Sequence, residues 1–293
     1  MDIIQTLAQQ LNLTAEQVGK TVQLIDEGNT IPFIARYRKE VTGSLDDSVL
    51  RTLDEKLTAL RNLAQRKQEV QDLIGAQGKL TEEVRAAIER AATVTEVDDI
   101  YRPFRPKRKT RASVARERGL EDLAILLFAQ EKSYTPSIEE QAARFVDPER
   151  EVPDVAAALQ GAMDIVAEEV SDNADYRREL RRLTFDAGSL TSKAAKEEDS
   201  VYAMYYDFSE PLRKLPGHRI LAINRGEKEE FLKVALTVPE DVVLGYLYNR
   251  VLSGNRSPAE PYVREAVTDA YNRLIAPSIE REIRNDLFDT ACE

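Results

Sequence analysis

The sequence has 293 residues, 42 % of them apolar and 32 % charged, which is typical of a folded protein with a buried core. Its net charge of -11 excludes a protein that coats nucleic acid with its whole surface, because an acidic body repels polyanions. With one cysteine and one histidine, the sequence also excludes an internal disulfide and a Cys/His zinc cluster.

The sequence lacks the features of a membrane or exported protein. No stretch approaches the roughly 20 apolar residues needed to cross a bilayer, and Met1 to Ile4 do not begin a signal peptide. We therefore expect a cytoplasmic protein with no membrane partner.

The beginning of the chain has the spacing of short helices joined by tight turns. Ile3, Leu7 and Leu11 fall on one helical face, and Thr14 with Gln17 forms a capping-box pattern that opens a second helix. Pro32 fits the first turn of a third helix. Turns near 12–14 and 28–31 make this part resemble a helix-turn-helix. Compact three-helix units also occur in proteins that never contact nucleic acid, so both interpretations stay open.

Helical periodicity then continues over most of the chain. A long helix is predicted over 46–75, pairing as an antiparallel hairpin with 81–92, and this completes a first region, 1–95. A second helical region, 96–293, holds the basic segment 101–118 and a final helix opened by Pro277 and Ser278. Apolar runs at 220–223 and 231–236 flank a turn-like segment and predict a β-hairpin at 219–237. The predicted fold is mainly α: an elongated multi-helix array with a helix-turn-helix-like N-terminal part and one short β-hairpin.

The basic segment is the strongest local pattern. Pro103 and Pro106 favour an extended backbone, and Tyr101 and Phe104 interleave aromatic rings with the cations. Such a segment can pair with phosphates and stack on exposed bases. It can also be a solvated loop, or one whose arginines bridge to the many carboxylates. With a second cluster on the third helix, the candidate nucleic-acid-binding residues are Arg36, Arg38, Lys39, Arg102, Arg105, Lys107, Arg108, Lys109 and Arg111.

Patterns that would indicate an enzyme are incomplete. The triplet beginning at Gly19 resembles the end of a phosphate-binding loop but lies inside a predicted helix, with Thr14 in place of the first glycine. His218 follows a Pro-Gly turn, where a neutral imidazole bonded to a turn carbonyl is the simpler interpretation. Adjacent carboxylates such as Asp98 and Asp99 diverge on a helix by about 100° and do not converge on a metal. We expect no catalytic residue, cofactor, metal or small-molecule substrate.

Several long strings resemble hallmark stretches of the bacterial Tex proteins, the transcription accessory proteins. They are IPFIARYRKEVTG at 31–43, DIYRPFRPKRKTR at 99–111, FSEPL at 208–212, LAINRGE at 221–227 and PSIEREIR at 277–284. The resemblance covers the N-terminal portion of that family. Full-length members continue into YqgF-type, helix-hairpin-helix and C-terminal OB-fold domains, for which this sequence has no room. It implies a helical scaffold from a nucleic-acid-binding protein that works with the transcription machinery.

The leading hypothesis is a non-catalytic module that binds the phosphate backbone of RNA or DNA weakly and without sequence preference. The alternative is an interaction scaffold that docks the downstream domains or RNA polymerase, with exposed Ile279, Ile283 and Leu287 as its interface. A hydrolase or nuclease has no assembled site to support it.

Overall fold

The computed structural model describes residues 2–196 and 198–292 and is mainly helical with one small sheet, which confirms the predicted fold class. The chain forms two compact units, one ending at Phe104 and the other beginning at Arg105. Among the described residues, every helix is too short or too polar to cross a bilayer.

The first unit consists of helices that follow the predicted periodicity closely. The capping box is confirmed: the Gln17 backbone donates to the Thr14 hydroxyl, and the Thr14 backbone donates to the Gln17 side chain. A 3-10 turn, Arg102–Phe104, ends the unit. The helices are α1 (Ile3–Leu11), α2 (Ala15–Asp26), α3 (Ile31–Tyr37), α4 (Lys39–Thr42), α5 (Asp47–Ala76), α6 (Glu82–Arg90) and α7 (Val94–Tyr101).

The third predicted helix is divided at Arg38. This residue has φ -131° and ψ 26°, so the backbone leaves the helical conformation between α3 and α4. Ile34 is fully buried in a cluster with Leu24, Leu45 and Leu50, which fixes the inner face of α3. The residues around the break therefore lie on a helix whose orientation is set by core packing.

The second unit packs around one central helix, α11, which contacts α8, α9 and α15. Its helices are α8 (Arg111–Glu117), α9 (Glu121–Ala129), α10 (Ile138–Ala142), α11 (Val155–Asp172), α12 (Ala174–Ala187), α13 (Gly217–Lys228), α14 (Glu240–Val251), α15 (Glu260–Asp269) and α16 (Ala276–Cys292). Its strands are β1 (Ser189–Ala194), β2 (Asp207–Pro211) and β3 (Leu232–Thr237).

The predicted final helix over Ile279, Ile283 and Leu287 is confirmed as α16, which begins at Ala276, one residue before Pro277. A π-helical turn, Ala270–Ile275, connects α15 directly to α16, so the helical backbone runs through these residues. Pro277 has no N–H to donate one turn back. The Ser278 hydroxyl donates to a different acceptor, the Ile275 carbonyl, at 2.9 Å.

The predicted β-hairpin at 219–237 is wrong in its first half. Residues 217–228 form α13, and β3 pairs antiparallel with β1, which lies at the centre of a sheet ordered β2-β1-β3. Ile220 and Ile223, three residues apart, are buried as one helical face. Gly226 looked like a turn residue, but its missing side chain serves packing: a Cβ there would lie 2.7 Å from Leu232 Cδ1.

Candidate nucleic-acid interface

The first group of predicted cations lies at the junction of α3 and α4. Arg36 and Lys39 are exposed, whereas Arg38 is half-buried with its guanidinium 5.2 Å from the centre of the Phe33 ring. Arg38 also donates a hydrogen bond to the Tyr37 carbonyl at 3.1 Å. Within residues 2–196 and 198–292, no carboxylate lies within 4.0 Å of these three cations. Their charge is therefore available to a ligand.

Arg102 belongs to a different environment. It lies in the 3-10 turn after α7 and is half-buried, and its Nε is enclosed without a hydrogen-bond partner among the described residues. Tyr101 is buried in the core of the first unit, and Phe104 packs against the same core. The expected aromatic partners for bases at this point are thus used in packing, because burying a ring of this size is a large gain.

The loop that begins the second unit is anchored to α11 through Lys107. Its ammonium pairs with Glu168 at 3.2 Å and also contacts the Asp172 carboxylate, and its side chain is only 26 % exposed. The alternative weighed from the sequence, a basic residue neutralised within the chain, is therefore correct for Lys107. The same holds for Arg116, which bonds to Glu168 at 2.8 Å, and for Arg118, which pairs with Glu151.

Glu168 is the centre of this anchor. Its side chain is 12 % exposed, and it also accepts a hydrogen bond from the Thr110 hydroxyl at 3.0 Å. Thr110 caps α8 through a hydrogen bond from the Ser113 backbone. Burial alone would raise the pKa of Glu168, but the hydrogen bond from Arg116 and the charge of Lys107 outweigh it and lower that pKa. The carboxylate stays ionised at neutral pH and holds the loop at Lys107 and at Thr110.

Other cations of the loop face solvent. Arg105, Arg108, Lys109 and Arg111 are all exposed. In the part of the chain that the structure describes, Arg108, Lys109 and Arg111 have no carboxylate within 4.0 Å, although Arg111 acts at longer range on Asp164. The backbone between Phe104 and α8 is irregular rather than helical, consistent with the two prolines. An anchored loop therefore carries a row of outward-facing positive charges.

We predict that Glu168→Gln loosens this anchor and lowers the free energy of unfolding by about 1–2 kcal/mol at pH 7, because charged hydrogen bonds are lost. The folded-state pKa of Glu168 is lowered from 4.5, so its contribution is present above that value and is lost as the pH falls through the folded pKa. Urea denaturation of both proteins over a pH series should show the difference shrink below pH 4.5. If the difference in the free energy of unfolding stays constant over the pH series, Glu168 does not stabilise the loop through its charge.

The residues considered for chemistry are not brought together. His218 lies exposed in the first turn of α13, not before a hairpin. No group of three or more His, Cys, Asp or Glu side chains with metal-binding geometry occurs within 2–196 and 198–292.

The scaffold interface predicted from the sequence is wrong. Ile279 and Ile283 are buried in the core of the second unit, and Leu287 packs against it. These side chains form the inner stripe of α16.

Two family models match this sequence. Residues 1–75 match the Tex-like protein N-terminal domain, and residues 133–293 match the Tex central region-like model, which alone covers more than half of the chain. The chain belongs to the Tex family. The resemblance inferred from its strings is thereby confirmed.

Individual Tex relatives agree with this assignment. The chain is 41 % identical to the uncharacterized protein YdcI of Bacillus subtilis (strain 168), over 99 % of the chain and 40 % of the relative. It is 43 % identical to Protein tex of Bordetella pertussis over 82 % of the chain and 30 % of the relative. Transcriptional accessory protein Tex of Neisseria gonorrhoeae is 36 % identical, over 99 % and 39 % respectively. The chain thus spans 30–40 % of the length of these relatives and corresponds to their N-terminal portion.

Proposed function

We propose that this portion of a Tex protein binds nucleic acid through its phosphate backbone and has no catalytic role of its own. The observation that carries the proposal is the anchored loop at 105–111. Lys107 is held by two carboxylates of α11, while Arg108, Lys109 and Arg111 remain exposed. An anchor of this kind fixes where the outer charges stand and so reduces the ordering cost of binding.

The expected affinity is weak and independent of sequence. Arginine and lysine contacts to phosphates release condensed counterions and carry no base information. The surrounding net charge of -11 opposes a polyanion, which restricts contact to the basic groups. RNA and DNA are therefore both expected to bind, because the contacts are made to phosphates and not to bases.

The setting of this activity is also part of the proposal. A relative in Neisseria gonorrhoeae carries the name transcriptional accessory protein Tex. The similarity to that relative extends over 99 % of the present chain. We place the chain in the cytoplasm, beside RNA polymerase and its nucleic acids.

The direct test reverses three outward-facing cations together, Arg108→Glu, Lys109→Glu and Arg111→Glu. Each phosphate contact contributes about one unit to the slope of log affinity against log salt, so the variant should bind more weakly and with a slope up to about three units flatter. Fluorescence anisotropy with labelled RNA and DNA over a salt series measures both quantities.

A matched control carries the same charge change elsewhere in the second unit. Lys132, Arg144 and Lys214 are exposed, and no described carboxylate lies within 4.0 Å of them. Changing all three to glutamate should weaken binding only through the general charge and leave the slope nearly as in the parent. A folded loop variant with an unchanged slope rejects the loop as the interface.

A scaffold role is the second candidate, and one observation favours it. Ile125 and Phe128 are exposed on α9, where large apolar side chains are unusual without a partner. If the chain binds no nucleic acid at low salt, while Ile125→Glu with Phe128→Glu in the full-length protein reduces copurification with RNA polymerase, the scaffold role is supported instead.

A further inference from the structure

Tyr37 is an exposed aromatic residue whose position core packing does not explain. It is the last residue of α3, and 55 % of its surface is accessible. Ile34, three residues earlier, is the buried anchor of the helix. Leaving a large ring in water forgoes the free energy of burying it. The ring is therefore presented to solvent by a helix whose other face is fixed.

The orientation of this ring is set by its neighbours. Phe33 lies one helical turn earlier, with its ring centroid 5.2 Å from that of Tyr37 and the planes inclined at 47°. The Arg38 guanidinium lies 5.2 Å from the Phe33 centroid and donates to the Tyr37 carbonyl. The Phe33 ring thus packs beside the Tyr37 ring, and Arg38 in turn packs on Phe33. Such packing restricts the positions of the Tyr37 ring, which reduces the ordering cost of stacking on a flat partner.

The charges around the ring favour an anionic partner. Arg36 and Lys39 are exposed on either side of it in the sequence and have no carboxylate within 4.0 Å in the described ranges. Glu40 is the only acidic residue between 30 and 45. A flat ring among cations matches a ligand that joins flat bases to phosphates.

We propose that Tyr37 stacks on an unpaired nucleobase while Arg36 and Lys39 bind the adjacent phosphates, so that the first unit recognises single-stranded RNA or DNA. The inference rests on the proposed nucleic-acid binding and adds the strand state. In a duplex the base faces are covered by neighbouring pairs, so this ring has nothing to stack on. Phosphate contacts alone would treat both forms alike.

The test compares three labelled ligands of equal length: a single strand with bases, an abasic single strand and a duplex. Tyr37→Ala should weaken binding of the base-bearing strand about tenfold, the effect of losing one stacked base. It should leave the abasic strand and the duplex unchanged. Tyr37→Phe keeps the ring and should bind as the parent does. Phe185→Ala, which removes an exposed ring in the other unit, is the matched control.

Each outcome decides the matter. An equal loss for all three ligands, or a loss for the duplex alone, overturns the stacking role, because neither depends on an accessible base face. If Tyr37→Ala has no effect while the loop reversal still flattens the salt slope, stacking is rejected and the proposed function stands. If the parent chain binds none of the ligands, both are rejected. Thermal unfolding of each variant shows that the fold is retained.

Discussion

Replacing Arg177 with alanine is expected to lower the free energy of unfolding of the second unit by about 3–5 kcal/mol. The side chain lies in α12 and is 0 % exposed. Its guanidinium donates to the Ser171 carbonyl at 2.5 Å, to the Ser171 hydroxyl at 3.0 Å and to the Ser278 hydroxyl at 2.7 Å. The substitution leaves these acceptors unsatisfied and opens a cavity where α11, α12 and α16 meet.

The neighbouring Arg178 supplies the control for this prediction. It is exposed and forms a surface ion pair with Asp175 at 2.8 Å, so Arg178→Ala should change stability by less than about 1 kcal/mol. Urea denaturation followed by circular dichroism measures both. Equal midpoints for the two variants would show that the buried guanidinium adds no net stability.

The second large effect is expected at Gly161, in the middle of α11. A Cβ at this position would lie 2.3 Å from Leu120 Cδ1 and 3.4 Å from Ala115 Cβ. Leu120 is 1 % exposed and has little room to move. Gly161→Ala should therefore lower the free energy of unfolding by about 2–3 kcal/mol, even though alanine favours a helix.

Gly245 in α14 is the control that separates the effect of helix propensity on stability from the effect of packing. A Cβ there meets no atom within 4 Å, so Gly245→Ala should raise the free energy of unfolding by up to about 1 kcal/mol. Opposite signs at the two glycines in denaturation experiments are the expected result. A stabilising Gly161→Ala would mean that α11 shifts away from α8 at little cost.

Local patterns predicted most of the helices correctly, because their causes lie within a few residues of the chain. The Thr14 capping box and the long helix, observed as Asp47–Ala76, both follow from side chains three or four positions apart. The β-hairpin failed for the opposite reason. Ile220 to Ile223 have strand-like composition, but they form part of α13 because the burial of Ile220 and Ile223 favours a helical face.

The candidate interface was predictable in part. Clustering alone identified the exposed cations, Arg36, Arg108 and Lys109 among them. It also included Lys107, which is paired within the chain, and Arg102, which is half-buried. Nothing in the local sequence separated these two from their neighbours, since each stands among residues of the same type.

By itself, the sequence determined the helical class, the membership in the Tex family and the places where positive charge is concentrated. Only the tertiary structure decided which of those charges face solvent, because their partners are remote: Arg116 and Glu168 are 52 residues apart, and Lys107 and Asp172 are 65 apart. Packing likewise placed Tyr101 in a core and left Tyr37 in water. Ion pairing and burial depend on which helices meet, and that is a property of the whole fold.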